Sequence, residues 1–424
     1  MMRSVSVWRK RVVFWCSGCG SASLALVGSL LMAGAVQADS PAASLAEAAQ
    51  RCDALAASAL DATLPPGVVG VALDDIDAPQ ALQFCKLVAE SSSDPRHRFQ
   101  YGRALDAAGE AAEAVRWYRS AADQGHAAAQ ANLGWMYYRG EGVAADAVEA
   151  VAWFDKAAEQ GYATAQFYLG WMYRQGQGVA ADAAVAASWY EKAATQGEAD
   201  AQYALSQLYL QGLGVARDPA RALAWLEKAA AQDHTQAQTN LGWMLDEGVG
   251  TERDELAAAA WYRKAAEQGE ATAQFNLGAM YEQGRGVAQD LRAAADWYLE
   301  AAEQGDIDAQ ASLGRLYRMG RGVERDGPRA VEWLRRAAEQ GDGQAQHGLG
   351  VMYAEGIGIE QDFAEALSWF EKAAAHGEVE AQYSLGLMHK RGEGVPADKA
   401  AAREWFAKAA AQGHSAAQFE LDWE

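Results

Sequence analysis

Seven histidines (His97, His126, His234, His347, His376, His389 and His414) and four cysteines are the side chains best suited to nucleophilic, acid–base or metal chemistry. Their spacing assembles none of it. His126, His234 and His414 recur at one position of a long repeat, and no two histidines have metal-ligand spacing with a third ligand nearby. G-x-S-x-G, S-x-x-K and H-E-x-x-H do not occur, and the many G-x-G pairs lack the strand–glycine–helix setting that phosphate binding requires. Acids such as Asp146 and Asp182 recur at helix starts, not as facing acid–base pairs. The sequence therefore predicts a protein that is not an enzyme, with no catalytic residue, no metal and no cofactor. Cys16 and Cys19 fall in the leader described below. Cys52 and Cys85 remain, an even pair for which a disulfide is the default in an exported chain, the alternative being two buried thiols. Closing that loop would stabilise the fold by roughly 3–4 kcal/mol in the chain-entropy picture.

What the sequence does offer is regularity. Gly125, Gly161, Gly197, Gly269, Gly305, Gly341, Gly377 and Gly413 lie on one 36-residue grid, with Asp233 in its only vacant place. Glutamines from Gln130 to Gln418, leucines from Leu133 to Leu421 and tryptophans from Trp117 to Trp405 keep the same period. Within one unit, Ala273, Leu277, Met280 and Tyr281 form a single helical face, Gly284-Arg285-Gly286-Val287 a turn, and Asp290 an N-cap for a second helix. Gly305 closes that helix in the left-handed conformation, which Asp233 is expected to share. In Asp146–Glu149 and Asp362–Glu365 the spacing predicts a reciprocal capping box. The recurring tryptophans read as structural filler between helix pairs. No pair can bury its own apolar face, so neighbours must stack.

The unit A-Q-x-x-L-G-x-M-Y-x-x-G-x-G-V-x-x-D followed by W-Y-x-K-A-A-E-Q-G resembles the Sel-one-like repeat (SLR), a relative of the tetratricopeptide repeat. The resemblance implies an all-α fold, a right-handed α/α superhelical solenoid of helix-turn-helix repeats. The sequence divides into a signal peptide (1–38), a helical N-terminal cap holding the Cys pair (39–93), a tetratricopeptide-like unit (94–125), eight repeats of 36 residues (126–413) and a capping half-repeat (414–424). Some SLR relatives are linked to β-lactam binding, but those are cysteine-rich, and this chain lacks both their cysteine pairs and a nucleophile motif.

Shifting the recurring stripe Ala129, Leu133, Met136, Tyr137 by two residues rotates the helix about 200°, to a face whose contents change from unit to unit. In tetratricopeptide-like solenoids the corresponding positions line a concave groove that binds peptides or proteins, and the resemblance implies the same here. The candidate groove residues are Trp135, Tyr138, Phe167, Trp171, Arg174, Tyr203, Trp243, Phe275, Arg315, Arg318 and Tyr383, with His347, Lys390, Arg391, Phe419 and Trp423 on the same stripe. Large aromatics on such a stripe have the composition of binding hot spots. The competing reading is that they pack on adjacent first helices and thicken the wall.

Met1–Arg11 is basic, Leu24–Ala35 is apolar, and Val36-Gln37-Ala38 offers small residues at a cleavage site, the layout of a secretory signal peptide cut after Ala38. An uncleaved anchor is the alternative, although the apolar run is short and broken by Gly28 and Gly34. Arg3, Arg9, Lys10 and Arg11 are the only charges ahead of Asp39, so a net charge of −21 becomes about −25 without them. Such a surface repels phosphate backbones and anionic headgroups. The sequence thus predicts an exported, periplasmic or secreted adaptor that holds protein or peptide partners, with no nucleic acid and no membrane insertion. Family resemblance implies envelope signalling, secretion or host contact without choosing among them. The alternative is a carbohydrate- or peptidoglycan-binding protein whose groove aromatics stack on sugar rings.

Overall fold

A computed structural model of the protein describes residues 41–422, so the expected signal peptide and Trp423 lie outside the described residues. Among the described residues there are twenty-one α-helices, one short 3-10 turn at Leu73–Asp75 and no strand. They group into two compact units, divided between His234 and Thr235. The first contains α1 (Pro41–Ala56) and α2 (Ala78–Ser91), then the pairs α3 (Pro95–Ala107) with α4 (Ala111–Ala122), α5 (Ala127–Arg139) with α6 (Ala147–Glu159), α7 (Ala163–Gln175) with α8 (Ala183–Thr195), and α9 (Ala199–Gln211) with α10 (Pro219–Ala230). The second contains α11 (Thr235–Glu247) with α12 (Glu255–Glu267), α13 (Ala271–Gln283) with α14 (Leu291–Glu303), α15 (Ile307–Met319) with α16 (Gly327–Glu339), α17 (Gly343–Glu355) with α18 (Phe363–Ala375), α19 (Val379–Arg391) with α20 (Lys399–Ala411), and the half-repeat helix α21 (Ser415–Asp422). Each unit is a solenoid of stacked pairs.

The turn inside a pair follows from its two glycines. Gly140 takes a φ of +72° and closes α5 in the left-handed conformation. Gly142 acts between repeats, since a Cβ there would sit 2.3 Å from the Ala111 carbonyl oxygen at the start of the preceding second helix. Gly178, Gly214, Gly286, Gly322, Gly358 and Gly394 approach the start of the preceding second helix in the same way, so the second glycine of these turns is an inter-repeat contact. Asp146 then caps α6, accepting from the N–H groups of Val148 at 3.0 Å and Glu149 at 3.1 Å. The expected reciprocal capping box is not made, because the Asp146 N–H already donates to the Tyr137 carbonyl at 2.9 Å, and that of Asp362 to Tyr353 at 3.0 Å. The turn itself has taken the donor that Glu149 or Glu365 would need. Asp233 does share the glycine conformation, with φ +60°.

The two helices of a pair cross closely over a glycine. At Gly134 a Cβ would lie 2.9 Å from the Phe154 ring, and at Gly170 the same distance from Tyr190. This assigns the filler role more finely than the sequence does. In seven of the nine pairs the most deeply buried ring is the residue after the recurring tryptophan: Tyr118, Phe154 and Tyr190 in the first unit, and Tyr262, Tyr298, Phe370 and Phe406 in the second; Leu226 and Leu334 take that place in the other two. The tryptophans form the layer outside it. Trp153, Trp333 and Trp369 are buried and the other six half-buried. A lysine one turn on covers several of them, as Lys156 does at 3.7 Å from Trp153 and Lys192 at 3.6 Å from Trp189.

Glutamine joins one pair to the next. The Gln130 amide donates to the Ala122 carbonyl at the end of α4 at 3.0 Å, while its oxygen accepts from Gln160 at 2.7 Å. Gln166 repeats the arrangement with Ala158 and Gln196, and Gln310 with Ala302 and Gln340. Orphan carbonyls at each helix end are thereby satisfied away from water. At the N-terminus the Cys52–Cys85 disulfide ties α1 to α2. The buried Arg103 of α3 donates to the carbonyls of Ala56 at 2.9 Å and Val71 at 2.6 Å, which fixes the cap on the first pair.

Candidate functional site: the variable stripe of the first helices

The stripe resolves into columns with different surroundings. Phe167, Tyr203, Phe275 and Tyr383 occupy its inner edge and are half-buried. Phe167 packs on Tyr190 with centroids 5.7 Å apart and Phe275 on Tyr298 at 5.6 Å, in each case the deep ring of its own repeat. Tyr203 stacks on His234 at 4.8 Å, and Tyr383 on His414 at 4.5 Å. Those histidines stand at the start of the next first helix. Phe99 meets His126 in the same way at 4.8 Å. Each histidine also reaches a carboxylate, namely Asp61 at 3.3 Å, Asp200 at 3.2 Å and Glu380 at 3.3 Å. Where the inner residue is Thr239, the following cap is Glu270, and the hydroxyl donates to it at 3.1 Å. At Phe99, Tyr203, Thr239 and Tyr383 the inner residue is matched to the residue that opens the next first helix, a pairing present in the sequence 27 to 31 residues apart.

The outer columns differ between the two units. In the first, Trp135, Tyr138 and Trp171 form a half-buried cluster: Trp135 and Tyr138 are 5.6 Å apart, and Tyr138 meets Trp171 edge-on at 5.3 Å. Tyr168 supports Trp135 from the next repeat at 4.9 Å, and the Arg139 guanidinium lies over the Trp135 ring at 5.4 Å. Arg174 sits beside the Tyr190 phenol, whose pKa burial lifts and this guanidinium partly lowers.

In the second unit the equivalent positions are ionic. Arg315 donates to Glu282 at 2.9 Å and Arg321 approaches the same carboxylate at 3.8 Å. Glu282 is 8% exposed and also accepts from the Tyr298 hydroxyl at 3.0 Å. One repeat earlier, buried Asp246 holds Arg285 at 2.6 Å. Sequence reasoning found Arg315 and Arg318 but missed Glu282 and Asp246, because it compared columns within units and not positions 33 or 39 residues apart. Arg318 is half-buried and faces His347, whose pKa is depressed by burial, with Glu380 opposing and Arg318 adding to the fall. Trp243 differs from all of these, with 44% of its surface exposed. Lys390 pairs with Glu420.

Among the described residues no three His, Cys, Asp or Glu converge on a potential metal site, and no helix is long and apolar enough to cross a membrane. The stripe offers ring faces, ring edges and guanidinium groups held by carboxylates, groups suited to binding and orienting a partner.

Comparison with known proteins agrees with this architecture. The Sel1 repeat matches residues 99–126, 127–162, 163–198, 199–234, 235–270, 271–306, 307–342, 343–378 and 379–414. A solved protective antigen of uropathogenic Escherichia coli with an SLR fold is 38% identical, with 82% of this chain and 75% of that one covered and a TM-score of 0.73. A Sel1 repeat protein from Oxalobacter formigenes is also 38% identical, with 73% and 89% covered and a TM-score of 0.55. No curated protein matches. By its repeats and by these structural relatives, the chain belongs to the Sel1 repeat family.

Proposed function

We propose that the protein is an exported, non-catalytic adaptor that holds a protein or peptide partner against the outer columns of its first helices. Sel1 repeats form a scaffold typical of protein-binding proteins. The observation that carries the reading here is Trp243, a large indole left 44% exposed at a position where other repeats place alanine, valine or leucine without disturbing the fold. Aromatic anchors of this kind supply much of the affinity at protein interfaces. Export is supported by the leader-like residues 1–38 and by the Cys52–Cys85 bond, which suits an oxidising compartment. The likeness to a protective antigen is compatible with a place in the bacterial envelope or outside it.

The test is capture of partners from envelope extract, identified by mass spectrometry, with wild-type protein and with Trp171→Ala plus Trp243→Ala. The double variant is expected to lose the partner while its circular dichroism stays native; undiminished capture refutes the assignment. The exposed Trp243 ring face also suits a sugar ring. Co-sedimentation with peptidoglycan would establish that second reading, whereas an adaptor stays in the supernatant.

A further inference from the structure

Repeat 307–342 departs from the charge of its surroundings. It holds seven arginines against six acids, whereas repeat 271–306 holds two against six and repeat 343–378 one lysine against six. Four guanidinium groups from two adjacent repeats, Arg285, Arg315, Arg318 and Arg321, belong to the outer columns and the turns beside them. Three are anchored from below. Glu282 takes Arg315 and Arg321, and Asp246 takes Arg285, each carboxylate being nine-tenths buried. The arginines themselves remain open, with side-chain exposures of 42% for Arg315 and Arg321 and 27% for Arg285. Arg318 makes no ion pair with a carboxylate among the described residues.

Two buried negative charges thus hold a larger set of positive ones in place. A guanidinium carries five donors in a rigid fork, and an anchor contact of the Arg315–Glu282 kind uses only part of it. Ordering an arginine normally costs side-chain entropy when a ligand arrives; here the buried carboxylates have already imposed that order. If the ion pairs served only to hold the repeats in register, equal numbers of charges would suffice, and Arg318 would have no part.

We propose that Arg285, Arg315, Arg318 and Arg321 form a docking site for an acidic peptide segment, a run of Asp and Glu in a partner, with Glu282 and Asp246 as positioning residues. The proposal rests on the partner-binding reading and specifies the chemistry of one partner segment. Its test is fluorescence anisotropy of the full-length protein with a fluorescein-labelled Glu-Asp repeat peptide and its Gln-Asn counterpart. The acidic peptide is expected to bind and to weaken with rising salt; the neutral one should not bind. Arg315→Ala with Arg318→Ala is expected to lower affinity at least about ten-fold, charge-assisted contacts being the strong ones. Arg318→Ala alone should weaken binding without moving the melting temperature, which separates docking from folding. Equal affinity for both peptides, or unchanged affinity in the double variant, overturns the site. Partner capture that still depends on Trp171 and Trp243 would then leave the adaptor reading standing.

Discussion

Tyr138 with Trp171 in the first unit and Glu282 with Arg315 in the second occupy the same two repeat positions, 33 residues apart. One pair is an edge-on aromatic contact at 5.3 Å and the other an ion pair at 2.9 Å over a buried carboxylate. The backbone beneath them is alike: a glycine-closed first helix, an Asp-capped second helix and a glutamine link. The repeat therefore fixes geometry and leaves the chemistry of its outer seam open. Apolar rings suffice in one unit, while the other combines a buried acid with surplus arginines.

The comparison breaks most visibly at Glu282. Replacing it with alanine leaves the buried Tyr298 hydroxyl without its charged acceptor and releases Arg315 and Arg321 to solvent, and should cost about 2–3 kcal/mol. Faster hydrogen exchange in α13 to α16 would locate the loss in the second unit. Trp171→Ala removes a half-buried ring that no charge depends on, so about 2 kcal/mol is expected, below the range for fully buried tryptophan. The loss should be nearly independent of salt in denaturant titrations.

A pH scan reads one helix start of the first unit. Burial, with Asp200 nearby and His234 opposing, raises the Glu198 carboxyl in the first unit to about 7. Its folded state holds the proton more tightly than the unfolded chain does. That contribution is complete below about pH 4.5 and is lost as pH rises through 7, a fall on the order of 1–3 kcal/mol. Glu198→Gln should flatten this part of the stability profile; a profile identical to wild type would contradict the assignment. The smallest effect sharpens the comparison directly. Installing Tyr138→Glu with Trp171→Arg places the second unit's pair in the first, and a double-mutant cycle should return a coupling of about 1 kcal/mol. Less is expected than at Glu282, because no equivalent of Tyr298 completes the acceptor: that position holds Phe154.

The helix pairs were legible because period, caps and glycines agree, and even the left-handed Asp233 follows from its place on the grid. The site was less legible. A first helix is covered by its own partner and also by the next helix start, so a rotation of about 200° does not by itself reach solvent. Phe167 and Tyr383 show this, half-buried against Tyr190 and His414. The failed capping box at Asp146 has a similar origin: the tertiary turn spends an N–H that local spacing leaves available.

The glutamine links carry a consequence for how such a molecule can change in length. Gln130, Gln166, Gln202, Gln274, Gln310 and Gln346 each present an amide donor to the pair before and an amide oxygen to the helix that follows, so excising or duplicating one such copy within a unit rejoins the same two partners. An uncharged relay is also indifferent to acidity and ionic strength. The exception among the described residues is His376, which meets Gln346 at 3.0 Å in the place of a glutamine, so this joint pairs an imidazole with the amide oxygen.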